Sequence, residues 1–449
     1  MLYYAFATIV ISLLLIALAS FSSRGSLLLN PMAYYALFQL IGFVGTTAAI
    51  DFNEPYDVLY YYICACGIVF SAIGFALANL SFPLPKELIA TWKQRPFLIE
   101  SGTAYKTFLT LMALFSALVC VAYFASIGYN VFLLGLSNLL ENGTSLTNVS
   151  ELRLASYDTS GSGQYHFPGY VNQFKDTIFP LTLFYLWTLY FSEPNRAGRL
   201  FTFSLLLGLT VASLIAILGT GQRGAFVLAM VMGGSFLTVV LPSSRKFVLF
   251  FLSVGIALPL FAISTQINGR AESKEFDLSS VLFAIWQRLA SDNQWGAVLG
   301  FRMLICDLPI QWGAEWWESI LGISPWHGGS SLSSDVARIV WRGGSGTIPP
   351  SNWGSIYHNF SWFGVVVIPL VTCTLFGAIQ QRFYTGPKTV FRTMVYVYCY
   401  IFVGSWIAGS PFEHLLNVGL VAVVGLRIIC RRLESAFGTV YVQQTAIPN

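Results

Sequence analysis

The sequence predicts an all-α polytopic membrane protein of about eleven transmembrane helices (10–12), and three observations predict it. Of 449 residues, 55% are hydrophobic and only 10% charged, whereas a soluble globular chain is roughly 25% charged. Apolar runs of bilayer length recur along the chain, and the short connections between them alternate between cation-rich and cation-poor. Aromatic residues make up 16%, a supply suited to interfacial belts and to stacking surfaces.

Eleven apolar segments are expected, over roughly 3–22, 32–50, 59–80, 106–127, 177–192, 200–218, 224–241, 247–264, 355–379, 393–408 and 412–430. Most reach the ~20 residues needed to cross ~30 Å of hydrocarbon at 1.5 Å per residue. The first has no cation ahead of it and many spans behind it, so it is expected to be retained rather than cleaved. One integral membrane domain is expected over 1–449, interrupted by two large loops, 128–176 and 265–353. Both loops are long enough to hold short helices, and the apolar pattern of 281–303 predicts a helix lying along the membrane surface. Six of the seven cysteines fall within or at the ends of apolar runs and only Cys306 in a loop, so no disulfide framework is implied.

Lys and Arg in the short loops set the orientation. With the C-terminus inside, Arg24, Lys86, Lys93, Arg95, Lys106, Arg196, Arg199, Arg245, Lys246, Arg382, Lys388, Arg392, Arg427, Arg431 and Arg432 all face the cytoplasm. The opposite choice puts the acidic 51–57 turn inside, so the positive-inside rule favours N-out, C-in. The remaining cations, Arg153, Lys175, Arg223, Arg270, Lys274, Arg288, Arg302, Arg338 and Arg342, then lie on the outer side with all four histidines. Any chemistry is expected there.

Most standard signatures are missing: no Walker-type phosphate loop, no Asp-x-Asp pair and no paired Cys or His at zinc spacing. No metal and no cofactor are therefore expected, and Glu272, Glu275 and Asp277 read as a solvated surface. Ionisable residues are also missing from span centres. Coupled carriers place them there despite a cost of roughly 2.5–3.5 kcal/mol, which weighs against a transporter.

Two stretches stand out. Gly219-Thr220-Gly221-Gln222-Arg223-Gly224-Ala225 separates two apolar runs, placing Arg223 at the outer boundary on a turn whose glycines permit close approach of a phosphate. The plainer alternative is an arginine snorkelling at a helix end. Pro349-Pro350-Ser351-Asn352-Trp353-Gly354-Ser355-Ile356-Tyr357-His358-Asn359-Phe360 runs from the second loop into an apolar helix. Its aromatic residues read equally as an interfacial belt. His358 beside Asn359 reads either as a proton acceptor with an orienting partner or as a structural histidine.

These two motifs, with Gly364 further on and Glu151-Leu152-Arg153 in the first loop, resemble those of the Wzy-type O-antigen and oligosaccharide repeat-unit polymerases. The likeness follows most of the chain in order, with Ser361 standing where a Gly is expected and His358 at a variable position. A His followed by Asn is also similar to the related O-antigen ligases.

The resemblance implies a GT-C-like glycosyltransferase in the bacterial inner membrane, with its site facing the periplasm. It implies transfer of a glycan from undecaprenyl pyrophosphate onto a lipid-linked repeat unit, metal-independent and inverting. The partners implied are lipid-linked donor and acceptor, the lipid bilayer and a chain-length regulator, with no nucleic acid. Such chemistry needs fixed positive charge where the pyrophosphate leaves, which arginine supplies through forked contacts. The expected catalytic residues are His358, Arg223 and Asp335, with Glu151 and Asp335 as rival bases to His358. Arg153, Arg288, Arg338, Arg342, Tyr357 and Asn359 are the expected substrate-binding set, with the loop arginines converging on one cavity. A ligase to lipid A-core and a lipid-linked oligosaccharide flippase are the alternative readings.

Overall fold

The structure, a computed structural model, describes residues 2–22, 29–100, 102–140, 168–192, 198–221, 223–240, 293–322, 324, 327, 330–342, 347–417, 419–437 and 441–443. In chain order these form α1 (Leu2–Ser22), α2 (Pro31–Ala49), α3 (Pro55–Ser81), α4 (Lys86–Gln94), β1 (Leu98–Glu100), α5 (Thr103–Ile127) and α6 (Val131–Leu140). Next come α7 (Pro168–Asn172), a wide π-helical turn (Gln173–Ile178), α8 (Phe179–Ser192), α9 (Arg199–Gly219) and α10 (Arg223–Val240). After the second expected loop begin α11 (Asn293–Met303), α12 (Ala314–Leu321), α13 (Leu332–Val340) and α14 (Asn352–Thr385). The chain closes with α15 (Val390–Gly404), α16 (Pro411–Asn417), α17 (Leu420–Phe437) and β2 (Tyr441–Gln443).

Six of these helices are long and apolar enough to cross a membrane: α1, α2, α3, α5, α9 and α14. Their large apolar side chains are openly exposed, as at Leu13, Leu118, Val121, Phe201 and Leu375. Water does not tolerate that much apolar surface, and lipid does. The protein is an all-helical, multi-pass membrane protein whose described strands are one short ribbon. Other expected spans are shorter helices: α8 has 14 residues, α15 has 15, and α10 has 18. The 412–430 segment is broken between α16 and α17, where Gly419 takes a left-handed φ of +76°. The 247–264 segment lies outside the described residues.

Contacts divide the chain into two compact units. Unit 1 comprises Met1–Gln94, Asp277–Pro387 and Cys399–Leu416. Its spine is α3 against α14, the most extensive helix pairing in the molecule. Small residues let the backbones close: a Cβ on Gly74 would lie 2.7 Å from Cys373 Cβ, and one on Gly377 would lie 2.8 Å from Ala78 Cβ. Without a strong hydrophobic drive between helices in lipid, such close van der Waals packing is what holds them. The pair runs parallel, since Gly74 meets Cys373, Ala78 meets Gly377, and Gln381 reaches Pro83 beyond them. Asn30 caps α2 by accepting from Met32 N at 3.0 Å. The sequence pattern over 281–303 predicts a surface helix, but α11 buries Ala297, Val298 and Phe301 in the core of this unit. The part before 293 lies outside the described residues.

Unit 2 comprises Arg95–Phe276, Lys388–Tyr398 and Asn417–Asn449. Here α5, α8 and α9 pack on the π-helical turn, and β1 pairs antiparallel with β2 in the register Ile99↔Val442. The buried Glu100 carboxylate at the end of β1 accepts from Tyr185 Oη at 3.2 Å and Phe391 N at 3.3 Å. Burial holds its pKa above the usual carboxylate range.

Candidate functional site

The head of α14 in unit 1 is the most polar buried place among the described residues of either motif. Ser351 caps the helix, its Oγ accepting from Gly354 N at 3.0 Å and from Tyr60 Oη. Asn352 N donates to Ile407 O at 3.1 Å and Gly409 N to Pro350 O at 2.6 Å. Gln39 Nε2 donates to Trp406 O at 2.9 Å and meets the Asn352 side chain at 3.5 Å. The Pro-Pro-Ser-Asn segment is thus pinned by backbone and buried amides on three sides, a rigid mount for the turn that follows.

On that mount, Ser355 and Asn359 stand one turn apart on one helix face. Both reach the buried Glu315 of α12: Asn359 Nδ2 donates to Glu315 Oε2 at 2.8 Å, and Ser355 Oγ to the same oxygen at 3.3 Å. Trp316 Nε1 donates to Ser355 Oγ at 2.9 Å. His358 is 6% exposed, and its Nδ1 is buried with no hydrogen-bonding partner, as is Asn359 Oδ1. Among the described residues neither atom has a partner, and a native protein rarely leaves such groups unpaired. Aromatic rings crowd the same place: Trp316 lies 5.0 Å from Phe360 and 6.0 Å from Phe412, and Tyr357 lies 5.6 Å from Phe301.

The α14 backbone breaks immediately afterwards. Ser361 sits at φ 51°, ψ −149°, close to a region that only glycine occupies without strain. The break frees the His358 carbonyl, which accepts instead from Gln311 N at 3.1 Å. It also folds the chain back so that a Cβ on Gly364 would lie 2.5 Å from Phe360 Cβ. The motif glycine is required by the kink.

A second carboxyl joins the first. Ser410 Oγ donates to Ser319 Oγ at 2.9 Å, and Ser319 Oγ to Glu315 O at 3.1 Å, clipping the lead-in to α16 onto α12. Glu413 of α16 is pushed up to about 7, first by burial and then by the negative charge of Glu315. Beside it the partly buried His414 is lowered to about 4 by loss of solvent, and its neutral ring donates through Nε2 to Phe402 O at 2.6 Å. The nearby negative charge of Glu315 thus adds to burial in favouring the protonated form of Glu413.

The other expected site residues fall elsewhere. Asp335 and Arg338 form a pair on α13 at 3.2 Å, and Ser331 Oγ donates to Asp335 at 2.7 Å. Arg338 is 68% exposed in that pair. Arg342 is exposed just after α13, in a left-handed turn at φ 50°. Arg302 lies 3.6 Å from the buried Asp57 carboxylate. In unit 2, Arg223 is the first residue of α10, and its side chain lies outside the described residues. Arg153, Arg288 and Glu151 also lie outside them.

The turn before Arg223 is held firmly. Gly221 takes φ +69° and its N–H donates to Leu218 O at 2.9 Å, a conformation for which glycine is suited. Lys175, fully buried on the π-helical turn, donates to Thr220 Oγ1 at 3.1 Å and pairs with Asp176 at 2.7 Å. Burial raises the Asp176 carboxyl, and the Lys175 ammonium partly offsets that. Sequence reasoning missed Glu315, Glu413 and the Lys175–Asp176 pair. A signal for Glu315 was present in Glu315-Trp316-Trp317, a carboxylate flanked by aromatics in an outer-loop segment. No local signal marks the other two.

Compared with protein-family models, with the curated proteins and with solved structures, the chain matches none.

Proposed function

We propose that the protein is a membrane glycosyltransferase that polymerises lipid-linked oligosaccharide repeat units at the outer face of a bacterial inner membrane. The observation that carries the reading is the buried polar group at the head of α14, where Asn359 and Ser355 converge on Glu315 and His358 keeps an unpartnered ring nitrogen. The neighbouring Trp316, Phe360 and Tyr357 rings suit stacking on sugars.

In this reading the His358 imidazole accepts the proton of the acceptor sugar hydroxyl as that oxygen bonds to the anomeric carbon of the donor. The bond from that carbon to the pyrophosphate breaks, and its electron pair leaves with the undecaprenyl pyrophosphate. Proton acceptance of this kind is worth roughly 10²–10⁴ in rate. Glu315 orients Asn359 and Ser355. Asp335, engaged by Arg338 and Ser331, is set aside as the base. For Arg223, whose motif resembles that of the polymerases, the sequence alone supports a role on a pyrophosphate through its permanent forked charge.

The test is the purified protein in lipid nanodiscs, given only lipid-linked repeat units, with product length as the readout. The expected product is a ladder of lengthened glycans, abolished by Arg223→Ala, poorly rescued by Arg223→Lys and lowered at least 10²-fold by His358→Ala. Transfer of one unlengthened glycan to a different lipid acceptor would mark a ligase. Transmembrane movement without any new glycosidic bond would mark a transporter and sink the reading.

A further inference from the structure

We propose that the cleft between the start of α5, the end of α8 and the start of α9, wholly within unit 2, binds one anionic glycerophospholipid. The cleft is an open groove with an enclosed volume of about 80 Å³, walled by Leu186 and Leu189 of α8 and Leu206 and Leu209 of α9. Its polar lining gathers towards one end, apart from Thr110 one turn along α5, whose hydroxyl donates to the Lys106 carbonyl. Lys106 stands in the first turn of α5, Thr202 in the first turn of α9 and Tyr190 in the last turn of α8. From Thr202 to Leu209 the wall rises about 10 Å at 1.5 Å per residue. A polar mouth and an apolar wall of that length suit a lipid whose headgroup rests at the rim while one acyl chain lies along the open groove.

Any apolar groove on a membrane helix bundle is covered by lipid, without preference for the headgroup. The cations at the mouth are what distinguish this one. Arg199, the first residue of α9, donates through Nε to Tyr190 Oη at 3.3 Å and lies 5.2 Å from that ring's centroid. Tyr190 lines the cleft, so this guanidinium is held at its rim, across from Lys106 on α5. Both residues belong to the cation-rich loops that the positive-inside rule places at the cytoplasmic surface. Anionic phospholipids concentrate there, and each such cation favours them about fivefold. An isoprenoid phosphate shares the chemistry, but the cleft stands at the helix ends that face the inner leaflet. The proposal does not rest on the glycosyltransferase reading.

The experiment is native mass spectrometry of the delipidated full-length protein, titrated with phosphatidylglycerol or phosphatidylcholine of matched acyl chains. One phosphatidylglycerol is expected to remain bound with at least about tenfold preference over phosphatidylcholine, since two cations act together. Lys106→Gln with Arg199→Gln should bring the two lipids within twofold of each other, while Lys106→Arg keeps the preference. Leu206→Trp, which fills the cleft, should lower occupancy by both. Equal binding by wild type, a preference surviving the double Gln variant, or displacement of phosphatidylglycerol by stoichiometric undecaprenyl phosphate would overturn the proposal. Melting temperature and size-exclusion profile of each variant separate loss of lipid from loss of fold.

Discussion

Glu413 gives the α14 head a titration in the neutral range. Its carboxyl lies near 7 where an ordinary glutamate lies near 4.5, so the folded protein holds this proton more tightly than the unfolded chain does. The stabilisation is complete below about 4.5 and is lost as pH rises through about 7, an effect on the order of 3 kcal/mol. Glu413→Gln keeps the shape without the titration. His414 titrates in both proteins, so the difference in melting temperature, wild type minus variant, should fall from pH 4.5 to 8, and parallel curves would refute the assignment. Ser361 is a second single-residue device. Its left-handed, near-extended backbone costs about 1–3 kcal/mol for a residue with a Cβ. Ser361→Gly should therefore raise the melting temperature, and Ser361→Val should lower it. A Gly was expected here from sequence, and the backbone shows why: the kink demands one. That serine is tolerated means the surrounding contacts, above all Gln311 N–H on the His358 carbonyl, hold the strain in place.

Elements were legible wherever one long apolar run decided them. The runs at 3–22, 32–50, 59–80, 106–127, 200–218 and 355–379 became α1, α2, α3, α5, α9 and α14 with ends displaced by only a few residues. What the sequence concealed is where tertiary contacts override a local pattern. Neither the kink of α14 nor the π-helical turn carries the Pro or Gly that usually announces such a break. The π-helical turn inserts a residue ahead of α8, and insertions of this kind recur at functional sites. Here it sets the buried Lys175, paired with the partly buried Asp176, against the Gly219–Gly221 turn, which in sequence lies more than forty residues away. The pair predicts its own signature. Lys175→Met should cost about 3–5 kcal/mol by stranding a largely buried carboxylate, whereas Lys175→Met with Asp176→Leu should recover most of that loss. Denaturant or thermal titration of the three variants measures it. If the single and double variants are equally unstable, the ion pair is not what holds the turn.

At the scale of the molecule, the parallel packing of α3 and α14 puts the candidate site at the shared head end of both helices. The heads of both helices meet, with Tyr60 Oη on Ser351 Oγ, and Asp51, Glu54, Asp57 and Glu315 all belong to the segments gathered there. The tails meet too, with Gln381 Nε2 on Pro83 O at 3.4 Å and the Trp92 ring of α4 tilted against Phe383 at 5.1 Å. Lys86 and Lys93 on α4 and Arg382 on α14 follow at that end. The 27 residues of α3 rise about 40 Å, more than the ~30 Å hydrocarbon core, so the two ends stand on opposite faces. With acidic heads and basic tails, the positive-inside rule predicts tails in the cytoplasm and Glu315 and His358 outside. Sequence charge alone suggested this orientation, but could not tell that the two helices run together and carry both ends of the argument. Single cysteines in a cysteine-free background make it testable. Trp317→Cys, at an exposed position on α12, should react with a membrane-impermeant maleimide in intact spheroplasts. Lys86→Cys should react only after the membrane is opened. The reverse pattern would place the α14 head in the cytoplasm, where the proposed polymerase has no lipid-linked substrate to extend.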